Sequence, residues 1–304
     1  MQIYLPIAEL SINIFLLLGL GGGVGILSGL FGVGGGFLLT PFLIFIGVPP
    51  AIAVATQANQ IVASSVSGVL AHWSRDNVDF KLGVIITLGG FAGSTLGVII
   101  FGWLHYFGQI DLVISALYIF CLTAIGIIMG LESGREIWAR RSSKPSGKRH
   151  HHSWMHGLPL RMRFPKSGLY MSVLLPIAVG FGVGILSAIM GVGGAFMMVP
   201  AMIYLLGMPL SIAIGTSLLQ VIFVAANVTF LQSANNHTVD GMLAFLLTIG
   251  SVTGAQIGSR LSYRIRGDHL RLALACLILL VAFLLLAQLI RPPADPYSIF
   301  TLSP

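Results

Sequence analysis

Charge is what this 304-residue chain has least of: Asp, Glu, Lys and Arg make up 8% of it, against roughly 25% in an ordinary soluble domain. Residues 10 to 74 contain none of the four, and residues 167 to 239 form a second uncharged run of 73. A membrane-spanning helix takes about 20 apolar residues, so the second run alone has room for three. With 56% hydrophobic residues and a mean hydropathy of +0.95, the composition excludes a soluble enzyme of average make-up. It predicts an all-α polytopic membrane protein that lives in a lipid bilayer. The polar and apolar alternation over segments of about 10 residues that a membrane barrel requires is missing too.

Other absences narrow the function. All nine Asp and Glu lie at the ends of apolar elements or in loops, whereas a sodium- or proton-driven pump usually buries at least one acid. No nucleophile, acid-base pair or metal cluster assembles inside the apolar elements, so an enzyme is not expected. The two cysteines, Cys121 and Cys276, sit deep in apolar sequence and read as inert buried thiols. His150, His151, His152 and His156 lie in a Lys/Arg/Ser/Pro-rich stretch that reads as a flexible tract. No metal and no cofactor are therefore expected. No basic residue precedes Arg75, so a leader with a positive n-region is not read, and residues 11 to 31 are expected to remain as the first span.

The positive charge that is present is concentrated. Nine of the 16 Lys and Arg fall between Arg135 and Lys166, the pattern of a loop held on the cytoplasmic side. No aromatic platform is interleaved with it, so nucleic acid is not an expected partner.

The chain repeats itself. GILSGLFGVGGGFLLTPFL (25–43) aligns with GILSAIMGVGGAFMMVPAM (184–202) at 10 of 19 positions without a gap. Allowing one insertion, Gly47, Pro49, Ala53, Thr56 and Gln60 fall on Gly207, Pro209, Ala213, Thr216 and Gln220. After another, Val78-Asp79 meets Val239-Asp240, and Gly89, Gly93 and Gly97 meet Gly250, Gly254 and Gly258. This divides the chain into a first transmembrane repeat (1–132), a basic cytoplasmic loop (133–168), a second transmembrane repeat (169–291) and a tail (292–304).

Each repeat reads as five apolar elements, near 11–31, 35–47, 51–72, 82–104 and 110–131, then 171–190, 195–206, 211–231, 242–261 and 271–290. The second of each five is short and follows a Gly-rich motif. If the short elements cross, each half has an odd number of crossings, the halves are inverted, and every basic cluster falls on one side. If they turn back to leave four crossings, the arginines after residue 260 fall outside, against the positive-inside tendency. Inverted repeats are the expectation.

Gly32 to Gly35 and Gly191 to Gly194 stand where a long apolar element gives way to the short one. A broken helix there would aim unpaired N–H groups and a positive dipole end at an anion; close packing through small residues is the alternative. Gly34, Gly35, Gly193 and Gly194 are the candidate positions. Uncharged polar residues in the third elements are the next candidates: Thr56, Gln57, Asn59 and Gln60, then Thr216, Ser217 and Gln220, with Asn227 beyond. Such side chains are costly in a bilayer unless they bond a neighbouring helix or line a wet path, and both uses stay open. The glycine series 89/93/97 and 250/254/258 reads as close helix packing, and Asp79 and Asp240 read as helix N-caps.

The doubled GVGGGFLLTPFL and GVGGAFMMVP motifs, each followed by a Gly-x-Pro turn, an Ala-rich helix, Val-Asp and a glycine-spaced helix, resemble the sulfite exporter TauE/SafE family of membrane permeases. The resemblance spans nearly all of the chain outside the tail and central loop. It implies secondary transport of small sulfur-containing or organic anions, such as sulfite, thiosulfate and sulfonates, across the bacterial inner membrane. Gln57 and Asn59 stand where the second repeat keeps Ser217 and Leu219, which implies unequal half-sites. A membrane assembly or signalling protein, recruiting a partner through its basic loop, is the competing functional class.

Overall fold

The computed structural model of this chain describes residues 2–31, 36–141, 160–236, 239–262 and 267–290. Among them are ten α-helices and two short hairpins: β1 (Gln2–Leu5), β2 (Leu10–Asn13), α1 (Ile14–Phe31), α2 (Gly36–Phe45), α3 (Pro50–Trp73), α4 (Phe80–Tyr106) and α5 (Ile110–Arg141), then β3 (Arg161–Phe164), β4 (Leu169–Ser172), α6 (Leu174–Met190), α7 (Ala195–Tyr204), α8 (Leu210–Leu231), α9 (Gly241–Ser262) and α10 (Gly267–Ile290). The helices stand where the apolar elements were expected, except that α5 runs on from the expected end at residue 131 to Arg141, into the sequence read as a loop. Five of them are long and apolar enough to cross a membrane: α4, α9 and α10, residues 110–131 of α5, and α8 extended to Asn236. At 1.5 Å per residue the ten-residue α2 and α7 reach about 15 Å, half of a hydrocarbon core of about 30 Å.

The hairpins are a feature the apolar pattern did not reveal. Each is four residues a side, antiparallel, and turns at a proline: Leu5 pairs Leu10 across Pro6, and Phe164 pairs Leu169 across Pro165. The offset that carries Gly25 to Gly184 also carries Leu5 to Phe164, Pro6 to Pro165 and Leu10 to Leu169, so the two hairpins occupy matched places ahead of α1 and α6.

The two repeats are interleaved. Glycine lets α4 lie against α6 of the other repeat: a Cβ at Gly89, Gly93 or Gly97 would run into the backbone of Ile177, Phe181 or Ile185. The constant spacing of those pairs means the two helices run parallel. The same geometry joins α1 and α9, where Gly250, Gly254 and Gly258 meet the carbonyls of Leu18, Gly22 and Ile26. Small residues allow this because backbones in a membrane gain from close van der Waals approach rather than from burial out of water. Gly93→Ala is therefore expected to lower the melting temperature of the detergent-solubilised protein. Gly23→Ala, whose Cβ would meet nothing within 4 Å, is expected to leave it unchanged or raise it, since Ala is the better helix former by about 1 kcal/mol. Equal melting of the two variants would show that these helices are not held by glycine contact.

Two pairs of helices at matched places in the two halves, α3 with α8 and α5 with α10, run antiparallel. Gly215 near the start of α8 abuts His72 in the last turn of α3 and Asn77 in the loop beyond it, and Gly68 abuts Leu218. Likewise Gly126 of α5 faces Leu279 of α10, and Gly130 lies beside Ala275.

Each hairpin closes on the opposite repeat through an aspartate. Asp79 caps α4, its Oδ1 accepting the Leu82 N–H at 3.1 Å, while Oδ2 accepts the Ser167 hydroxyl at 2.6 Å in the β3–β4 turn. Asp240 does the same for α9, accepting from Leu243 N–H at 3.1 Å and from Ile7 N–H at 3.2 Å in the β1–β2 turn. Both aspartates act as N-caps, as the sequence suggests.

Candidate functional site

The break between α6 and α7 is made of glycine conformations. Gly191, Gly193 and Gly194 have φ of 67°, 68° and 79°, left-handed values that cost other residues strain. Gly191 ends α6, donating its N–H to Ser187 O at 2.8 Å. Gly194 starts α7, its carbonyl accepting from Met197 and Met198 N–H at 3.1 and 2.7 Å. This segment sits against the middle of the α3–α8 pair: Gly193 against Ile61 and Val221, Gly191 against Val54. Gly34 and Gly35 lie outside the described residues.

The candidate polar residues divide by what they bond. Thr56 and Thr216 are buried and accept the backbone N–H of Asp240 and Asp79, each at 3.0 Å, so they tie α3 and α8 to the opposite repeat. Gln57 spends its amide on α2, donating to Gly36 O and accepting the Thr40 hydroxyl. Its counterpart Ser217 only returns its hydroxyl to Ile214 O at 2.9 Å. Asn227 donates to Ser94 Oγ at 2.9 Å and Thr95 Oγ1 at 3.2 Å, a bond between α8 and α4. Asn59 is exposed on α3, away from the buried face that carries Thr56 and Gln60.

Gln60 and Gln220 differ from all of these. Both are 0% exposed, and neither Nε2 nor Oε1 of either has a hydrogen-bond partner. Leaving one buried polar group unsatisfied costs about 1–3 kcal/mol, and such groups are few in native structures. Two of them stand at matched positions of the sequence repeat, one helical turn beyond the threonines. Gln220 is located by α4: a Cβ on Gly90 would come within 2.9 Å of its Nε2.

Two residues escaped the sequence reading. Tyr118 of α5, fully buried, donates its hydroxyl to Met190 O at 2.7 Å, fastening the end of α6 to the first repeat; an aromatic in an apolar helix gives no sign of such a bond. Ser187, 2% exposed with an unpartnered Oγ, lies within the matched segment GILS, where its place in an identical block made it one residue among ten. No group of His, Cys, Asp and Glu among the described residues is arranged to hold a metal.

The chain matches the profile of the sulfite exporter TauE/SafE family over residues 17–285. It is 33% identical to a probable membrane transporter protein, YjnA, of Bacillus subtilis over 84% of this chain and 93% of that one. It is 32% identical to a probable membrane transporter protein of Xylella fastidiosa over 83% of this chain and 86% of that one. It is also 27% identical to sulfite exporter TauE/SafE family protein 1 of Arabidopsis thaliana, over 36% of this chain and 23% of that one. No solved structure matches. Long apolar helices, a doubled Gly-Val-Gly-Gly motif and this likeness over most of the chain place it in the sulfite exporter TauE/SafE family, a family of membrane transporters rather than enzymes.

Proposed function

We propose that this transporter moves small sulfur-containing or organic anions, such as sulfite or sulfonates, across the bacterial inner membrane by alternating access of two inverted repeats. The observation that carries the proposal is the pair of buried amides, Gln60 and Gln220, with all four polar atoms unpartnered. Gly193, just before α7, packs on Ile61 and Val221, the residues that follow these two glutamines, and neutral donors near the start of a half-length helix suit an anion, whose charge the helix dipole favours. Among the described residues the acids of the helices stand at the ends of the apolar stretches, Asp111 in the first turn of α5, Glu132 and Glu136 beyond its apolar part and Asp268 before that of α10, which withholds a mid-membrane partner from a cation.

The antiparallel course of α3 with α8 and of α5 with α10 supports inversion. Charge supports the orientation. Lys81 Nζ donates to Arg163 O at 3.2 Å, and Lys166 pairs with Asp76, so these basic residues gather at the β3–β4 end. The β1–β2 end carries Glu9, Asp111 and Asp240 and no Lys or Arg among the described residues. By the positive-inside tendency the β3–β4 end is cytoplasmic. Export of a monovalent anion then gains about 2.3 kcal/mol per 100 mV from a negative interior and needs no coupling ion.

The test is flux in proteoliposomes with sulfite, thiosulfate, sulfonates and short carboxylates, together with reporter fusions at both termini. Saturable flux of at least one anion, with both termini on the periplasmic side, is the expected result. Termini on different sides would overturn the inverted arrangement, and no flux of any anion would overturn the function.

A further inference from the structure

The second repeat holds a more specific arrangement than a generic anion path. Gly194 begins α7 in a left-handed conformation, and the ideal Cβ position on it lies 3.5 Å from Ser187 Cβ and 3.8 Å from Ser187 Oγ. The Ser187 hydroxyl, buried and unpartnered, therefore stands at the N-terminal end of a ten-residue helix. On α6, Gly180, Gly184 and Ser187 share one face by their spacing of four and three. That face looks into α4, because Gly184 packs on the Gly90 carbonyl and Gly180 on Ile86. Gly90 is also the residue that Gln220 Nε2 abuts from α8. Gly90 thus lies between the Gly180–Gly184 face of α6 and the Gln220 amide, with Ser187 one helical turn further along α6, and Gly193, next to Gly194, packs on Val221, the residue after Gln220.

The inventory of that place is unbalanced in a telling way. Gln220 offers two donors and one acceptor, and Ser187 one donor and an acceptor; the start of α7 adds N–H groups and part of a positive charge. A bare oxyanion would satisfy the donors but would leave Gln220 Oε1 facing negative oxygen. A ligand that also carries its own O–H would satisfy both sides of the amide. A helix end supplies about half a charge, and no Lys or Arg stands among the described residues of α6, α7 or α8, so one negative charge is compensated far better than two.

We propose that Ser187, Gln220 and the first turn of α7 form a binding position for a singly charged oxyanion that bears a hydrogen-bond donor, and that Ser187 determines specificity there. The inference rests on the anion-transport function proposed above.

Two probes of equal charge and nearly equal size separate the ideas: ethanesulfonate and 2-hydroxyethanesulfonate, titrated calorimetrically into the full-length protein in nanodiscs. The hydroxylated anion is expected to bind about 5- to 150-fold more tightly, the effect of leaving one buried acceptor unpaired. Ser187→Ala is expected to weaken both probes about 10- to 150-fold, as loss of a hydrogen bond to a charged group does. Without ligand, the same variant should melt no lower than the parent, because it deletes a hydroxyl that has no partner. Equal affinity for the two sulfonates would overturn the donor requirement. Unchanged binding in Ser187→Ala, or a drop in melting temperature large enough to explain the loss, would overturn the role of Ser187. If no sulfonate, sulfite or carboxylate bound the parent at all, the anion-transport function itself would fall.

Discussion

Gly194→Val is expected to cut flux at least about 100-fold while the protein still reaches the membrane and purifies. Two costs fall at one position. The left-handed backbone at φ 79° costs a non-glycine residue roughly 1–3 kcal/mol, and more for a β-branched side chain. The new Cβ would also stand 2.8 Å from Val183 Cγ1, inside contact distance and against a residue that is itself only 7% exposed. The relief available is for α7 to tilt away from α6, which moves its N-terminal groups off the anion position. Gly182→Val on the preceding helix α6 is the control, since a Cβ there meets nothing within 4 Å. Flux is read in proteoliposomes and normalised to reconstituted protein. Retained transport in Gly194→Val would show that the left-handed glycines serve packing alone.

The second large effect concerns Gln60 and Gln220. If their amides donate to an anion, Gln→Leu removes a hydrogen bond to a charged group. That costs roughly 1.5–3 kcal/mol, or about 10- to 150-fold in affinity. Gln→Glu keeps the shape and puts a negative charge where the anion must sit, so it should bind more weakly still. The expected order is wild type, then Leu, then Glu. Neither Leu variant should melt lower, because the amides it removes bond nothing in the protein. Gln57→Leu behaves in the opposite way: its amide holds Gly36 O and the Thr40 hydroxyl, so stability falls, and with it flux. Wild-type affinity in Gln60→Glu and Gln220→Glu would remove both residues from the site.

The two glutamines and Gln57 also show why a list of polar residues is only part of a site. In the sequence Thr56, Gln57, Asn59 and Gln60 are equivalent as uncharged polar residues within five positions of one another. A helix turns 100° per residue, so neighbours in sequence face different partners. Thr56 meets the Asp240 loop, Gln57 meets α2, Asn59 points outward, and Gln60 meets no polar partner among the described residues. The i, i+3, i+4 spacing groups Thr56, Asn59 and Gln60, yet Asn59 is exposed and Gln57 is buried, because which of the four is covered and bonded depends on helices that are distant in sequence. The same limit applies to Tyr118 and Ser187, whose roles come from Met190 O and Gly194, on other elements or across the break.

The hairpins were hidden for a different reason. Strands of four residues carry too few alternations to show a period of two, and only Pro6 and Leu10 repeat as identical residues at Pro165 and Leu169. Their purpose lies in the Asp79 and Asp240 contacts, which join opposite repeats.

By itself the amino-acid sequence determined the solvent, the class and the duplication: long uncharged runs have only a bilayer to occupy, and a gapless match of two glycine motifs admits little but two copies of one unit. It also set most of the helix boundaries, because Gly-Val-Gly-Gly, Gly-x-Pro and Val-Asp break or cap a helix through local backbone chemistry; the end of α5, which carries no such signal, lies at Arg141 rather than at the expected 131. Only the tertiary structure decided how the copies interlock, with α4 on α6 and α1 on α9, and which buried amides remain without a partner. Hydrogen-bond satisfaction is a property of pairs, and here the members of each pair stand up to 233 positions apart, as Ile7 and Asp240 do.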